Sequence, residues 1–342
     1  LDRYEKLTSA ALPFVVDQIG AGESVDGRVG ECASDEIARA ELSAAPWWLW
    51  WNILSFDAPM VAVAWALVFA RSAGVVLPGA EMGALGLVVW LIYTVDRLLD
   101  GQSGGVAVSG GAPASRDVSR SEAKAFGPAL RQRHVFHRIH ARAVACAAAG
   151  VATFTAILVL TQIGEAVLRL AVPLGTILLL YMAWVHLGRR RVLARVPKEV
   201  AVGGVFAAGV ALPVWSRIGA RRWEFFLLAL LFAAVCTLNC VAIEEWERAR
   251  ARGRELDATE RPLSAANFGS GKFAVALAVC AALLTPVVRL RGEFSAIGAA
   301  IAASALLILL LDLMRERISA DGLRVLVDVA LLLPALTVLA VR

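Results

Sequence analysis

The chain has 342 residues, of which 59% are hydrophobic and only 18% charged, with a mean hydropathy of +0.68; a soluble globular chain averages roughly 45–50% apolar and 25% charged. An ordinary soluble domain is therefore excluded. The formal charge of +5, from 34 Lys and Arg against 29 Asp and Glu, is spread between hydrophobic stretches, which points to anionic lipid headgroups or a phosphorylated ligand and away from nucleic acid.

Residues 1–46 mix polar residues with Gly20, Gly22, Gly27 and Gly30, and predict a cytoplasmic N-terminal segment of a short helix or two plus linker. The opening LDRYEKLTSAALPF has neither the basic start nor the small-residue cleavage site of a signal peptide. As it does not begin with Met, some native sequence is expected to precede it. Nine apolar segments then fall within 47–342, at about 53–70, 82–99, 140–161, 167–187, 199–214, 223–243, 273–288, 295–313 and 323–341. In hydrocarbon a helix satisfies its own backbone, so the reading is an all-α polytopic membrane protein with nine transmembrane helices.

The connections alternate in charge. Those at 96–139, 187–198, 244–272 and 312–324 carry seven, five, six and three Arg or Lys, against one, one, three and two in the others. This asymmetry predicts a cytoplasmic N-terminus and an external C-terminus, in a bacterial-type plasma membrane. The long polar connections 101–139 and 249–272 are expected to form a cytoplasmic cap, which puts any chemistry at that end of the bundle. Cys146, Cys236, Cys240 and Cys280 lie in apolar stretches, and no CxxC pair includes them or Cys32, so neither a zinc site nor a disulfide scaffold is read.

In chain order, Asp57 with Pro59 opens the first crossing, where a carboxylate needs a partner, a wet cavity or a capping role. The run Tyr93-Thr94-Val95-Asp96-Arg97-Leu98-Leu99-Asp100 follows where the second crossing emerges. Asp96 and Asp100 share a helix face about 6 Å apart along the axis. Two such carboxylates repel unless a cation compensates. Magnesium suits them as a hard cation that bridges to substrate phosphates, the alternative being neutralisation by Arg97 and its basic neighbours.

His134, His137 and His140 recur every three residues and drift around a helix, so they make a poor zinc face. They read as interface polarity, with His137 or His140 as the candidate base for an incoming acceptor. Near the cytoplasmic helix ends, Trp90, Tyr93, Tyr181 and Trp184 are either interface anchors or aromatic faces for a carbocation. Arg191, Arg195 and Lys198 precede the fifth crossing as positive-inside anchors or phosphate contacts.

A second acidic run closes the sixth crossing: Asn239, then Glu244, Glu245 and Glu247. Glu244 and Glu247 share a face, and Asn239 lies two turns back on about the same side. These glutamates either pair with Arg248, Arg250 and Arg252 or join Asp96 and Asp100 in clamping metal ions on a diphosphate, polarising the bond to that leaving group. Gly269-Ser270-Gly271-Lys272 lacks the remaining features of a phosphate loop and reads as a flexible entry to the seventh crossing. Arg324 and Asp328, four apart, read as an intrahelical pair.

This arrangement resembles the UbiA superfamily of intramembrane prenyltransferases over about residues 50–342, through nine crossings with acidic motifs after the second and sixth. The family's first motif, NxxxDxxxD, places Asp96 and Asp100 on its aspartates and Ile92 on its Asn. For its second, DxxxD, Glu244 and Glu247 stand in with a spacing of three. The resemblance implies magnesium at these four residues and a prenyl diphosphate beneath a cytoplasmic cap, with Lys198 as the first-choice phosphate contact, then Arg191 and Arg195. It implies prenyl transfer to an unidentified acceptor, or cyclisation of a terpenoid diphosphate. A transporter of lipids or amphiphilic anions is the competing class, which inverted repeats and paired interrupted helices would favour; the sequence displays neither. The expected partners are the prenyl diphosphate, the acceptor and membrane lipids; no nucleic acid and no protein partner is required.

Overall fold

The computed structural model describes residues 46–103, 136–187, 198–219, 222–256, 270–289 and 295–340. The N-terminal segment and most of both cap connections lie outside the described residues. Ten helices of seven residues or more are described: α1 (Trp47–Ile53), α2 (Asp57–Ser72), α3 (Gly79–Ser103), α4 (Ala141–Gln162), α5 (Glu165–Leu187), α6 (Lys198–Trp215), α7 (Arg222–Leu256), α8 (Ser270–Arg289), α9 (Ser295–Met314) and α10 (Ala320–Ala340). No strand occurs among the described residues.

Each of the nine apolar segments falls on one of α2–α10, but not every one of these helices is long and apolar enough to count as a crossing by itself. Among the described residues six helices (α3, α4, α5, α7, α9 and α10) are long and apolar enough to cross a membrane, and α1 with α2 makes a seventh if their 79° bend is one broken span. Within the described residues α6 and α8 show the shorter apolar stretches Glu199–Trp215 and Lys272–Ala281. For α6 the shortfall is one of length: its 18 residues rise about 27 Å, against a hydrocarbon core of about 30 Å. α7, at 35 residues, is long enough to project well beyond such a core.

The α1–α2 break has a definite construction. The Phe56 amide donates to the Trp51 carbonyl and the Ser55 amide to that of Asn52, a Schellman ending in which Ser55, at φ 62°, takes the left-handed position usually held by glycine. α2 ends the same way, with Gly74 at φ 65° in that position. The buried Arg97 side chain, reaching from α3, donates through one guanidinium nitrogen to the Asn52 carbonyl at 2.6 Å, the Ile53 carbonyl at 3.2 Å and the Ser55 hydroxyl. It thereby supplies donors to carbonyls that the end of α1 leaves without an intrahelical partner.

α2 is the central helix, packing on α3, α6, α9 and α10. Trp65 and Phe69, both fully buried, meet Phe232 of α7 with ring centroids 4.4 and 5.3 Å apart. The Trp65 indole donates to the Leu331 carbonyl at 3.0 Å, near Pro334, which lacks the amide that an α-helical ladder needs. At the far end of the same pair, Arg71 donates to the Leu339 carbonyl at 2.9 Å, so α2 and α10 run in the same direction. α4 packs on α3 and α5 on α6, and both leave broad apolar faces, including Phe154, Leu160, Leu179 and Leu180, outside the bundle.

Gly203 sets the approach of α6 to α7. A Cβ there would lie 2.5 Å from the Thr237 hydroxyl and 2.7 Å from its backbone nitrogen, in keeping with small residues at close membrane helix crossings. Gly203→Ala is therefore expected to cost about 1–3 kcal/mol, read as a lower thermal midpoint in detergent. Adding Thr237→Ala should not restore it, as the backbone contact remains; full rescue would show that the hydroxyl alone sets the spacing.

Candidate functional site

The end of the bundle bearing the acidic motifs is knitted together by polar side chains. Arg97 ties the end of α3 to the α1–α2 break, and the Asn52 amide donates to Asp57 Oδ2 at 2.6 Å. Asp57 in turn lies within hydrogen-bonding reach of Asp328 on α10. From α7, the Asn239 amide makes a long contact of 3.5 Å with Asp328 Oδ1. One turn before Asp328, Arg324 forms an ion pair with Glu247. These links place the C-terminal ends of α3 and α7 at the same end of the bundle.

Further out, the Trp246 indole donates to Asp312 Oδ1 at 2.8 Å. Arg250 donates to the carbonyls of Arg315 and Ile318 at 3.1 and 2.6 Å. The extension of α7 is thus fastened to the α9–α10 turn.

Two cavities adjoin at Asp328. One, of about 40 Å³, is lined by Trp51, Asn52, Asp57, Val325 and Asp328 among others. The second, of about 30 Å³, is lined by residues that include Tyr93, Gly203, Phe206, Cys236, Asn239 and Asp328. Each has room for two or three water molecules. Asp57 Oδ1 and Asn239 Oδ1 are buried without a hydrogen-bond partner.

The sequence-predicted residues are distributed as follows. Asp96 is half-buried and, with Glu199, within electrostatic reach of Tyr181, which brings α3, α5 and α6 together at this end. Tyr93 and Asn239 share the second cavity. Glu244 pairs along its own helix with Arg248, whereas Glu247 turns to α10, so the two glutamates have different partners. His137 is buried and His140 exposed, their rings 5.4 and 4.9 Å from that of Phe136. The side chains of Asp100, Lys198, Arg191, Arg195 and Trp184 lie outside those described, as does His134. Among the described residues no group of three His, Cys, Asp or Glu side chains converges to hold a metal ion.

One expectation is corrected. Arg324 and Asp328 do not form the anticipated intrahelical pair: Arg324 engages Glu247 of α7, while Asp328 faces Asp57 and Asn239. The partnership of Asp57 with Asp328 was not anticipated, and neither was the part played by Asn52. The usable signal was that each carboxylate sat alone in an apolar segment and needed a partner; local spacing does not say which.

A scan against protein-family models finds no match for the chain, and searches of curated proteins and of solved structures match none.

Proposed function

We propose that the chain is a nine-crossing intramembrane enzyme of UbiA-like architecture that transfers a prenyl group from a prenyl diphosphate to an acceptor, with magnesium as cofactor. The observation that supports this reading is that the acidic ends of α3 and α7 lie at the same end of the bundle, where Tyr93 and Asn239 line one cavity. Magnesium on a diphosphate needs only one or two protein carboxylates, the substrate supplying further oxygens. The all-oxygen donor set of Asp96 and Asp100 fits that chemistry. When bound there, the ion would neutralise charge on the departing diphosphate.

In this reading Lys198, Arg191 and Arg195 bind the phosphates from the start of α6. Arg248 and Arg324, which hold Glu244 and Glu247, are cations that a diphosphate competes for, releasing the glutamates toward its metal. His137 or His140 takes the acceptor's proton. Because the two cavities at Asp328 are water-sized, the prenyl tail is assigned to the lipid-facing side of the bundle, along the apolar faces of α4 and α5. The acidic end is assigned to the cytoplasm on the charge asymmetry of the connections.

The test is product analysis by mass spectrometry with purified protein, prenyl diphosphates of several lengths and membrane extract, with and without magnesium. A prenylated product formed only with magnesium and an acceptor is expected. Diphosphate release without an acceptor identifies cyclisation, and no consumption of any prenyl diphosphate under these conditions rejects both. The broken α1–α2 span favours a second reading, transport of an amphiphilic anion, since interrupted helices with polar residues at the break serve as transporter binding sites. Uptake into proteoliposomes without chemical change of the anion would establish it.

A further inference from the structure

Asp57 is the first residue of α2, at the break, and Asp328 lies eight residues, about 12 Å, into α10. Asp328 is on a helix long and apolar enough to cross a membrane, and Asp57 is on the second half of the bent α1–α2 pair. Among the described residues the charges facing this pair are few. α3 contributes Arg97, whose field reaches both carboxyls, and the Tyr93 phenol, α7 the thiols of Cys236 and Cys240, and α1 the neutral Asn52. From α6, the residues lining the shared cavity are Val202, Gly203 and Phe206, none of which titrates. The remaining nearby cation, Arg324, is engaged by Glu247.

Among the described residues two carboxyls therefore face one guanidinium, one positive charge short of balance. Two bare carboxylates within hydrogen-bonding reach in a medium of low dielectric repel strongly, and a proton between them converts that repulsion into a hydrogen bond. Both unpartnered atoms at the site, Asp57 Oδ1 and Asn239 Oδ1, are acceptors, so what completes it must bring a donor. The two cavities meeting at Asp328 give water access to it.

We propose that Asp57 and Asp328 together bind one exchangeable proton, forming a buried acid–base site at the wall between the two cavities. This site stands independently of the prenyl diphosphate reading, for it uses neither acidic motif and needs no metal.

Infrared spectroscopy of the full chain in lipid nanodiscs, with carbonyl-labelled aspartate, tests it. At neutral pH the wild type is expected to show a protonated aspartyl C=O stretch that shifts in D2O and is indifferent to exchange of sodium for choline. Asp57→Asn and Asp328→Asn should each abolish it, because either leaves one carboxylate opposite Arg97, already balanced. A wild type without this band, a band that survives in either variant, or a band that sodium removes would overturn the proposal. Sodium removal would identify a metal cation in place of the proton. If neither variant folds, the wild-type pH titration decides alone: loss of one protonated carboxyl on raising the pH supports the pair, and none present at neutral pH rejects it.

Discussion

Arg97→Met is expected to destabilise the folded bundle by about 3–5 kcal/mol, the range for breaking a buried charged network by removing one partner. The substitution keeps much of the side chain's length and apolar volume, so the loss reports the guanidinium. Three acceptors at the α1–α2 break lose the guanidinium: the Ile53 carbonyl, the Ser55 hydroxyl and the Asn52 carbonyl, which keeps only the Ser55 amide. Asp57 and Asp328 also lose the cation that faces them. Arg97→Lys should recover only part of the stability, since one ammonium does not reproduce the planar fork. Thermal unfolding in detergent followed by tryptophan fluorescence measures both. Arg71→Met is the control: its hydrogen bond to Leu339 is exposed, and its loss should cost no more than about 1 kcal/mol. Equal midpoints for Arg97→Met and wild type would mean that the break is held by its Schellman geometry alone.

That network marks where sequence reasoning stops. Apolar run length located the helices because a hydrocarbon solvent demands long uninterrupted segments whatever their neighbours. It did not resolve whether α6, whose length falls near the threshold, crosses by itself, or the turn at Leu54–Phe56, where the run WLWWNILSFDA holds no glycine or proline. The left-handed Ser55 is made acceptable by a residue of another helix. Likewise Asp96 and Asp100 are legible as an i, i+4 pair, while Asp57 and Asp328 are joined by tertiary packing across 271 positions. Arg324 shows the same limit: a partner four residues away is a reasonable local expectation, and the packed bundle supplied Glu247 of α7 in its place.

The ion pairs at the acidic end also bear on function. Exposed pairs such as Glu244 with Arg248 contribute little to stability, typically below about 1 kcal/mol. A dianionic or trianionic phosphate group competes readily for such an arginine, through bidentate and charge-assisted hydrogen bonds. Glu247 and Arg324 are better enclosed, and α7 is additionally pinned through Trp246 and Arg250. Under the proposed function the flexible member of the glutamate pair is therefore Glu244, and Glu247 stays with the α7–α10 contact until phosphate arrives.

Asp96→Asn and Asp100→Asn are each expected to lower product formation from a prenyl diphosphate by about 10²–10³-fold, the scale for loss of a group that stabilises developing charge. The amide keeps the size and polarity of the carboxyl, so membrane insertion and thermal midpoint should change little for Asp96, which is only half-buried. A metal role is distinguished from a general one by magnesium dependence. If the carboxylates hold the ion, the magnesium concentration for half-maximal turnover rises in the variants, and excess magnesium restores part of the rate. A fall in rate with unchanged magnesium dependence would place these carboxylates on the acceptor or on structure. Undiminished turnover in both variants would remove the first acidic motif from the chemistry and turn attention to the Tyr93–Asn239 cavity.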